Sequence, residues 1–354
     1  MKFRQQYDFS SVLLLCLILT NLSSANVFNT TSRLRGTSTP ESSFITTVEH
    51  PFSLSCGTHR SSLDDEEDDA DLISYIHSRE RQLNLEQVTI PVCFHILTDD
   101  NGVNDLSSEQ LQNQLDVLNR AYSSASCCDS TMEWCSTQSC SVETGFRFAW
   151  AQMEASRQNV IQGATVSHTS DACIIAHKKR NWTRFLGFWD PRLRQMKRRL
   201  RKGDATTLNV YWTDFMILKI AGYSTFPSTY WRKPKLDGVV MRVGVCVGGS
   251  ITEYSKGAML AHEVGHWLGL YHTFEEGCSE RSDRIDDTPR ELEAFRGCGQ
   301  IDGFPLNRDS CPNDEGKDPI HNYMDYAYDE CKFEFTQGQV WRMQASYERY
   351  RKGK

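Results

Sequence analysis

Three histidines and one glutamate stand within eleven consecutive residues, in the order His262-Glu263-x-x-His266-x-x-Gly269-x-x-His272. Residues four apart share one face of a helix, so the imidazoles of His262 and His266 can reach the same zinc ion. Gly269 can take the backbone angles that end a helix, which lets His272 supply a third ligand from outside it. Three protein ligands leave one position open for water. The pattern therefore predicts a catalytic zinc site rather than a structural one.

Glu263 directly follows the first histidine, where its carboxylate can accept a proton from a water molecule activated by the metal. A structural zinc usually has four protein ligands and no use for that carboxylate. The predicted reaction is attack of water on a peptide carbonyl. Two alternatives stay open: a zinc-containing binding module without activity, and a disulfide-rich extracellular interaction protein in which the motif is incidental.

The first 25 residues have the pattern of a secretory signal peptide: a basic start, the apolar run Val12 to Leu19, and the small residues Ser23 and Ala25. The apolar run is far shorter than the roughly 20 residues that a membrane-spanning helix needs. We therefore expect a secreted, extracellular protein with no membrane attachment once residues 1–25 are removed.

The remaining chain is expected to divide near residue 86. Residues 26–85 are rich in Ser and Thr and then acidic, so they cannot bury much core alone, and we predict a removable pro-segment with cleavage after Arg79 or Arg81. Residues 86–354 are predicted to form one catalytic domain. The net charge of -7 reflects the acidic run at 64–71, and no nucleic-acid partner is predicted. The basic stretch 197–202 is interpreted as a solvated helix face.

Apolar periodicity predicts both strands and helices in the catalytic domain, and hence an α+β fold. Val88 to Ile96 is a predicted strand, which Pro91 places at a sheet edge or with its first residues outside the ladder. Ser107 and Gln110 make a capping box for a helix. The apolar positions of that helix, and three further strand candidates, are Leu111, Leu115, Leu118 and Tyr122, and residues 146–150, 207–212 and 238–247.

Thirteen cysteines indicate disulfides in an oxidising compartment, because Cys16 leaves with the signal peptide and an even number remains. Four of them lie in one short segment, where disulfides are favoured over a second zinc cluster: Cys127, Cys128, Cys135 and Cys140. Asn29 and Asn181 are in sequence patterns that accept N-glycans.

A second motif, Asn322-Tyr323-Met324-Asp325-Tyr326, lies downstream of the histidines. It predicts a tight turn that sets Met324 beneath the three imidazoles as support without binding the metal. Tyr326 follows two residues later, at the position where comparable zinc enzymes carry a phenol that can help stabilise an oxyanion. A buried core tyrosine is the alternative for Tyr326.

These two motifs, together with Thr273-Phe274, Gly277-Cys278 and the segment 286–289, resemble the pappalysin family of metzincin zinc proteases. The likeness is closest to the smaller secreted members from fungi and other microbes, and it extends from about residue 88 to 343. It implies an upper subdomain with a twisted mixed sheet and the zinc helix, an irregular lower subdomain tied by disulfides, and an active cleft between them. Protein or peptide substrates follow from the same resemblance, whereas the oligomeric state is not predicted.

The resemblance also implies three finer features of the chain. Two disulfides would pair Cys278 with Cys311 and Cys298 with Cys331, and calcium would bind at Asp283, Asp286, Asp287 and Thr288. Cys56, in Cys56-Gly57-Thr58, would act as a switch whose thiolate fills the open zinc position until the pro-segment is cut away. Removing a free Cys56 leaves eleven cysteines, so either one stays unpaired or Cys56 is itself in a disulfide.

Overall fold

The structure is a computed structural model of the 354-residue chain. It describes residues 54–58, 70, 72–76, 87–128, 140–152, 172–216, 219–298 and 308–354. The predicted signal peptide, most of the predicted pro-segment with its cleavage sites at Arg79 and Arg81, and the residues Asn29 and Cys135 lie outside the described residues.

Strands of the described chain form one mixed sheet. They are β1 (Ser55–Cys56), β2 (Val88–Thr98), β3 (Phe146–Trp150), β4 (Ile174–Lys178), β5 (Arg184–Phe185), β6 (Leu208–Phe215), β7 (Ile220–Tyr223) and β8 (Val239–Arg242). Their order is β1-β7-β8-β6-β2-β3, with β4 also paired to β2 and β5 paired to β6. The pair of β7 with β8 is antiparallel, whereas the others are parallel.

The long strand β2 lies in the middle of this sheet, so the edge position predicted for it is wrong, whereas the alternative, that its first residues lie outside the ladder, holds on the β6 side. It pairs with β3 and then β4 on one side, and with β6 on the other. The N–H of Val88 and the carbonyl of Val92 form hydrogen bonds on the β3 side. Because residues along a strand alternate in direction, the carbonyl of Pro91, and the side of its backbone where other residues carry an N–H, face β6. The β6 ladder begins only at Val92, opposite Leu208. Proline is tolerated because its missing N–H falls just before the ladder on that side.

Among the helices of the described residues, those that accompany the sheet are α1 (Ser108–Ala121), α2 (Pro191–Leu200), α3 (Ala258–Trp267) and α4 (Gln337–Tyr350). The predicted capping box is present, since Gln110 N–H donates to Ser107 Oγ and Ser107 N–H donates to Gln110 Oε1, both at 3.1 Å. The buried face of α1 packs against α3, in which every residue is buried. The histidine-bearing helix is thus held inside the core, and the α+β prediction is confirmed.

Helix α2 covers the face of the sheet opposite to α3. Alternate residues of β6 accordingly pack against α2 and against α3. Its basic stretch departs from the prediction of a solvated face. Arg198 and Arg199 are exposed, but Lys197 is buried, and its Nζ donates to the carbonyls of Leu236 at 3.1 Å and Gly238 at 2.8 Å. These two carbonyls accept the hydrogen bonds of an amino group that the sequence pattern predicted to face solvent.

We call residues 87–272 the upper part and residues 273–335 the lower part. The described segments of the lower part are irregular apart from a 3-10 helix at Asp329–Cys331. Disulfides join Cys278 to Cys311 and Cys298 to Cys331, the pairing that the resemblance implied. Helix α4 then returns to the upper part, whose core it joins through Val340 and Met343. None of the helices in the described ranges combines the length and apolar character required to cross a bilayer.

Candidate metal centre

Gly269 ends helix α3 in the predicted place. Its φ of 103° lies in the left-handed region, and the N–H of Leu270 donates to the carbonyl of Gly265 at 2.9 Å. This bond belongs to a Schellman motif, in which glycine is the favoured residue. A Cβ at position 269 would also come 2.4 Å from the Ser346 hydroxyl. The chain can therefore turn back and bring His272 under the helix.

The rings of His262, His266 and His272 converge. The Nε2 atom of His266 lies 3.2 Å from that of His262 and 3.1 Å from that of His272. On the far side of the rings, Nδ1 of His262 faces the Tyr323 carbonyl and Nδ1 of His266 faces the Leu270 carbonyl, both at 2.7 Å. Carbonyls only accept, so each Nδ1 carries the proton and each Nε2 of a neutral ring presents a lone pair.

Lone pairs at this spacing repel one another unless a cation lies between them. Ligands about 2.0–2.1 Å from a tetrahedral zinc ion are separated from one another by roughly 3.3–3.4 Å, close to the spacing of the Nε2 atoms. Burial lowers the pKa of His262 well below its usual value, which keeps the ring in the neutral, metal-binding form. The donor set therefore fits the zinc ion that the motif predicts.

Glu263 is fully buried beside the three rings. Its Oε2 accepts a hydrogen bond from the Thr58 hydroxyl at 3.1 Å, whereas no hydrogen bond within the described residues reaches its Oε1. Burial raises the pKa of Glu263 to about 8. A Cβ at Gly222 would lie 3.1 Å from Oε1, so the glycine on β7 leaves room for this carboxylate.

Cys56 lies with the histidines. Its sulfur and the three ring nitrogens are all within 4.8 Å of one another, and all four residues are buried. Strand β1 carries the cysteine there by pairing with β7, and the Gly57 N–H donates to the Gly222 carbonyl at 2.8 Å. The sulfur is a free thiol that accepts a hydrogen bond from the Thr58 N–H at 3.2 Å. The alternative that Cys56 forms a disulfide is therefore wrong.

Tyr326 and Met324 reach the same place from the lower part. The Tyr326 hydroxyl lies 3.3 Å from Nε2 of His272 and donates to the Cys56 carbonyl at 3.2 Å. Burial raises the pKa of Tyr326, so its hydroxyl stays protonated and can donate. Met324 is fully buried under α3, where a Cβ at Gly265 would come 2.5 Å from its sulfur.

The four residues predicted to bind calcium are not equally placed. Asp283 and Thr288 are buried, whereas Asp286 and Asp287 are exposed. Within the described chain, Asp283 Oδ2 and the hydroxyls of Ser282 and Thr288 have no hydrogen-bond partner. Asp287 is engaged elsewhere, because its oxygens accept hydrogen bonds from the start of α4 at 2.7 and 2.8 Å.

The remaining described cysteines resolve most of the open pairings. Disulfides join Cys93 to Cys173 and Cys127 to Cys140, and Cys128 is also disulfide-bonded. The preference for disulfides over a second zinc cluster is confirmed for these residues. Cys246 is a buried free thiol. Removal of Cys56 would leave eleven cysteines, and Cys246 is the one of those described that has no disulfide partner.

Several groups at the site carry no signal in the sequence. The carbonyls of Tyr323 and Leu270 are backbone atoms that any residue would supply. His272 is flanked by Phe274, stacked on its ring at 4.8 Å, and by Glu275, whose carboxylate lies 3.5 Å from Nδ1. Thr58 could have been noticed from its place two residues after Cys56. Its hydroxyl accepts the Ser224 N–H at 2.8 Å while donating to Glu263.

Comparison with known proteins agrees with this geometry. The sequence profile of the family described as pregnancy-associated plasma protein-A matches residues 202–348. An extracellular metalloprotease of Pyricularia oryzae is 45% identical over 175 residues, which cover 49% of this chain and 58% of that protein. One from Arthroderma benhamiae is 34% identical over 271 residues, covering 75% of this chain and 74% of the relative.

Two solved structures of mirolysin from Tannerella forsythia have the same fold. Promirolysin matches with a TM-score of 0.62 at 23% identity, over 84% of this chain and 94% of that one. Mature mirolysin with a cleaved peptide matches with a TM-score of 0.55 at 26% identity, over 73% and 90%. The match to the Pyricularia oryzae protein spans less than two thirds of that relative's length. The longer match to the Arthroderma benhamiae protein, together with the shared motifs and fold, shows that the chain belongs to the pappalysin family of metzincin metalloproteases.

Proposed function

We propose that this protein is a secreted zinc-dependent endopeptidase in which His262, His266 and His272 hold one zinc ion and Glu263 is the general base. The observation that carries the proposal is the convergence of three Nε2 lone pairs beside a buried carboxylate that has a free oxygen. An extracellular location is supported by the names of the relatives, which are extracellular metalloproteases. Peptide substrates are supported by the mirolysin structure with a cleaved peptide.

A bound zinc ion would lower the pKa of a water molecule and polarise the scissile carbonyl. Glu263 accepts the proton of the attacking water through its free oxygen and passes it to the departing amine. Tyr326 donates its hydroxyl to the substrate carbonyl oxygen as negative charge develops there. Its present bond to the Cys56 carbonyl supports this role, because a peptide carbonyl already lies within its reach.

The experiment that tests the mechanism compares Glu263→Ala with Glu109→Ala in the processed protein, using denatured casein as substrate. Removal of a general base lowers turnover by about 10²–10⁴-fold. Glu109 is exposed at the start of α1, so its variant should keep full activity. Equal turnover in the two variants would remove Glu263 from the mechanism.

We further propose that residues 26–85 are a pro-segment that keeps the enzyme latent, with residues 1–25 as its signal peptide and residues 86–354 as the catalytic domain. Two contacts support latency: the Cys56 sulfur lies with the three rings, and the Thr58 hydroxyl occupies Glu263 Oε2. A thiolate at the fourth zinc position would leave no place there for the attacking water, and the Thr58 bond engages one of the two oxygens of the base. The full chain with Cys56→Ser should cleave casein without processing, whereas the full chain with Ser55→Ala should stay inactive.

Calcium binding by residues 283–288 is also part of the proposal. Its support is that, within the described residues, the buried Oδ2 of Asp283 and the buried hydroxyls of Ser282 and Thr288 have no hydrogen-bond partner. An unpaired buried carboxylate is costly, and calcium prefers such oxygen ligands. Added calcium should raise the melting temperature of the wild type but not of Asp283→Asn. An equal rise in both proteins would place the ion elsewhere.

A further inference from the structure

Asn322 and Gln339 form a reciprocal pair of hydrogen bonds beneath the turn that carries Met324. Asn322 Nδ2 donates to Gln339 Oε1 at 2.9 Å, and Gln339 Nε2 donates to Asn322 Oδ1 at 3.0 Å. Both side chains are fully buried. Each amide oxygen and each amide nitrogen of the pair thus has a partner, and satisfied buried amides specify one arrangement of their surroundings.

The peptide unit between Tyr323 and Met324 connects this pair to the metal centre. Its N–H, from Met324, donates to Asn322 Oδ1 at 2.9 Å. Its carbonyl, from Tyr323, lies 2.7 Å from Nδ1 of His262. Because a peptide unit is planar, fixing the direction of the N–H also fixes the direction of the carbonyl. Asn322 therefore orients the group that holds the His262 ring.

Gln339 in turn decides which way the Asn322 amide points. If the amide turned over, its NH2 group would face the Met324 N–H, and two donors would meet. Gln339 opposes this because its own oxygen and nitrogen match one orientation of Asn322. Gln339 is held by the capping box of α4. Its side-chain Oε1 accepts the Thr336 N–H at 2.9 Å, and its backbone N–H donates to Thr336 Oγ1 at 3.2 Å.

We propose that Gln339 is a positioning residue for His262, acting through Asn322 and the Tyr323–Met324 peptide. The Nδ1–H bond to Tyr323 keeps the lone pair of His262 on Nε2, which is the nitrogen that faces the other two rings. The inference rests on the proposed zinc site. It adds a residue 67 positions or more from the histidines, on a helix that supplies no ligand.

The test measures zinc affinity of the full chain by competition with a chromophoric chelator. Gln339→Met removes, at similar volume, both bonds to Asn322 and the bond from the Thr336 N–H, and it should weaken zinc binding about 10-fold, the lower end of the range for partners of metal ligands. Thr336→Ala is the matched control, because it removes the side-chain cap of α4 but leaves the amide pair. If both variants weaken zinc binding equally, Gln339 acts only through helix stability and the proposal is overturned.

Gln339→Glu provides a second variant in case Gln339→Met does not fold. Its carboxylate still accepts from Thr336 and Asn322, but its second oxygen faces Asn322 Oδ1, where a donor had been. Zinc binding should again weaken several-fold, and wild-type affinity in this variant contradicts the proposal. A wild-type chain that binds no zinc overturns the proposed function as well, whereas zinc binding that is equal in all folded variants overturns the positioning role alone.

Discussion

The upper and lower parts of the protein hold their conformations by different means. In the upper part, strands and helices bury apolar clusters on both faces of the sheet, with residues such as Leu118, Val210 and Trp267 fully enclosed. The described residues of the lower part have little regular structure, and disulfides, buried polar contacts and one small apolar cluster hold them. Burial of apolar surface stabilises the first region, whereas a small number of specific links define the second.

The metal centre lies where these two regions meet. The upper part supplies His262, His266 and Glu263 from a core helix. The lower part supplies the Tyr323 carbonyl, Met324 and Tyr326 from irregular chain. The proposed ligands are therefore placed by the core, whereas the groups that would orient them depend on individual bonds. Loss of one such bond should therefore change activity more than global stability.

Among the variants that compare the two parts, removal of a lower disulfide is expected to have the largest effect on activity. Cys298→Ser with Cys331→Ser frees the segment that contains Met324 and Tyr326, so we expect at least a tenfold loss of turnover at 25 °C. Hydrogen exchange should show lost protection in residues 308–335 and retained protection in β6. Uniform loss of protection in both regions would contradict the division between them.

The matched control is the upper disulfide, replaced by Cys93→Ser with Cys173→Ser. This bond closes a span of 80 residues, compared with 33 for the lower one. Chain entropy alone predicts a loss of about 4 kcal/mol of unfolding free energy for either pair. Sheet pairing between β2 and β4 should keep the upper control active at 25 °C. Equal loss of turnover in both double variants counts against the account.

Replacement of Asp237 tests the link between the upper part and Arg351, the residue that follows the end of α4. Both oxygens of its buried carboxylate contact Arg351 at 3.2 Å, and Trp267 Nε1 donates to it at 3.1 Å. Asp237→Asn leaves Arg351 as an uncompensated buried charge and should cost about 3–5 kcal/mol of unfolding free energy in chemical denaturation. A loss below about 1 kcal/mol would mean that water or another group already compensates Arg351.

The effect of Asp237 should depend on pH in one direction. Burial alone would raise the pKa of Asp237, but the charge of Arg351 prevails and the pKa is lowered. A lowered pKa in the folded state stabilises the protein above the unfolded value of about 3.9, and this contribution is lost as the pH falls through the folded value. The difference between wild type and variant should be constant from pH 5 to 8 and shrink below pH 4.

Gly269→Ala is expected to have a smaller effect on stability, about 2 kcal/mol, because a Cβ strains the positive φ and meets Ser346. Gly102→Ala is its control, since Gly102 has a φ of 75° and open space around it. Thermal unfolding should show the greater loss for position 269, and casein cleavage should fall only there. Equal losses would show that contact with Ser346 contributes nothing.

Much of the site could be predicted because many of its residues lie close together in the sequence. The spacing of the histidines, the helix-ending Gly269 and the capping box of α1 are local patterns, and the structure has each of them. The lower disulfides were implied by resemblance rather than by local pattern. The roles of the ligands and of Tyr326 remain proposals, although their side chains lie together.

The rest depended on contacts between distant parts of the chain. Pro91 predicted an edge because local pattern cannot show where the neighbouring β6 begins. Lys197 was assigned to solvent because the carbonyls that satisfy it lie some forty residues away. Gln339 could be read as a helix cap, but its bond to Asn322 appears only when the turn and α4 are side by side.

The most direct test of the central claim is X-ray absorption spectroscopy at the zinc edge on the full chain and on Cys56→Ser. We predict one zinc per chain, with three imidazole nitrogens at about 2.0–2.1 Å in both proteins and one sulfur at about 2.3 Å in the unsubstituted chain alone. A chain without zinc, or a zinc ion with fewer than three imidazole ligands, would contradict the assignment of this site.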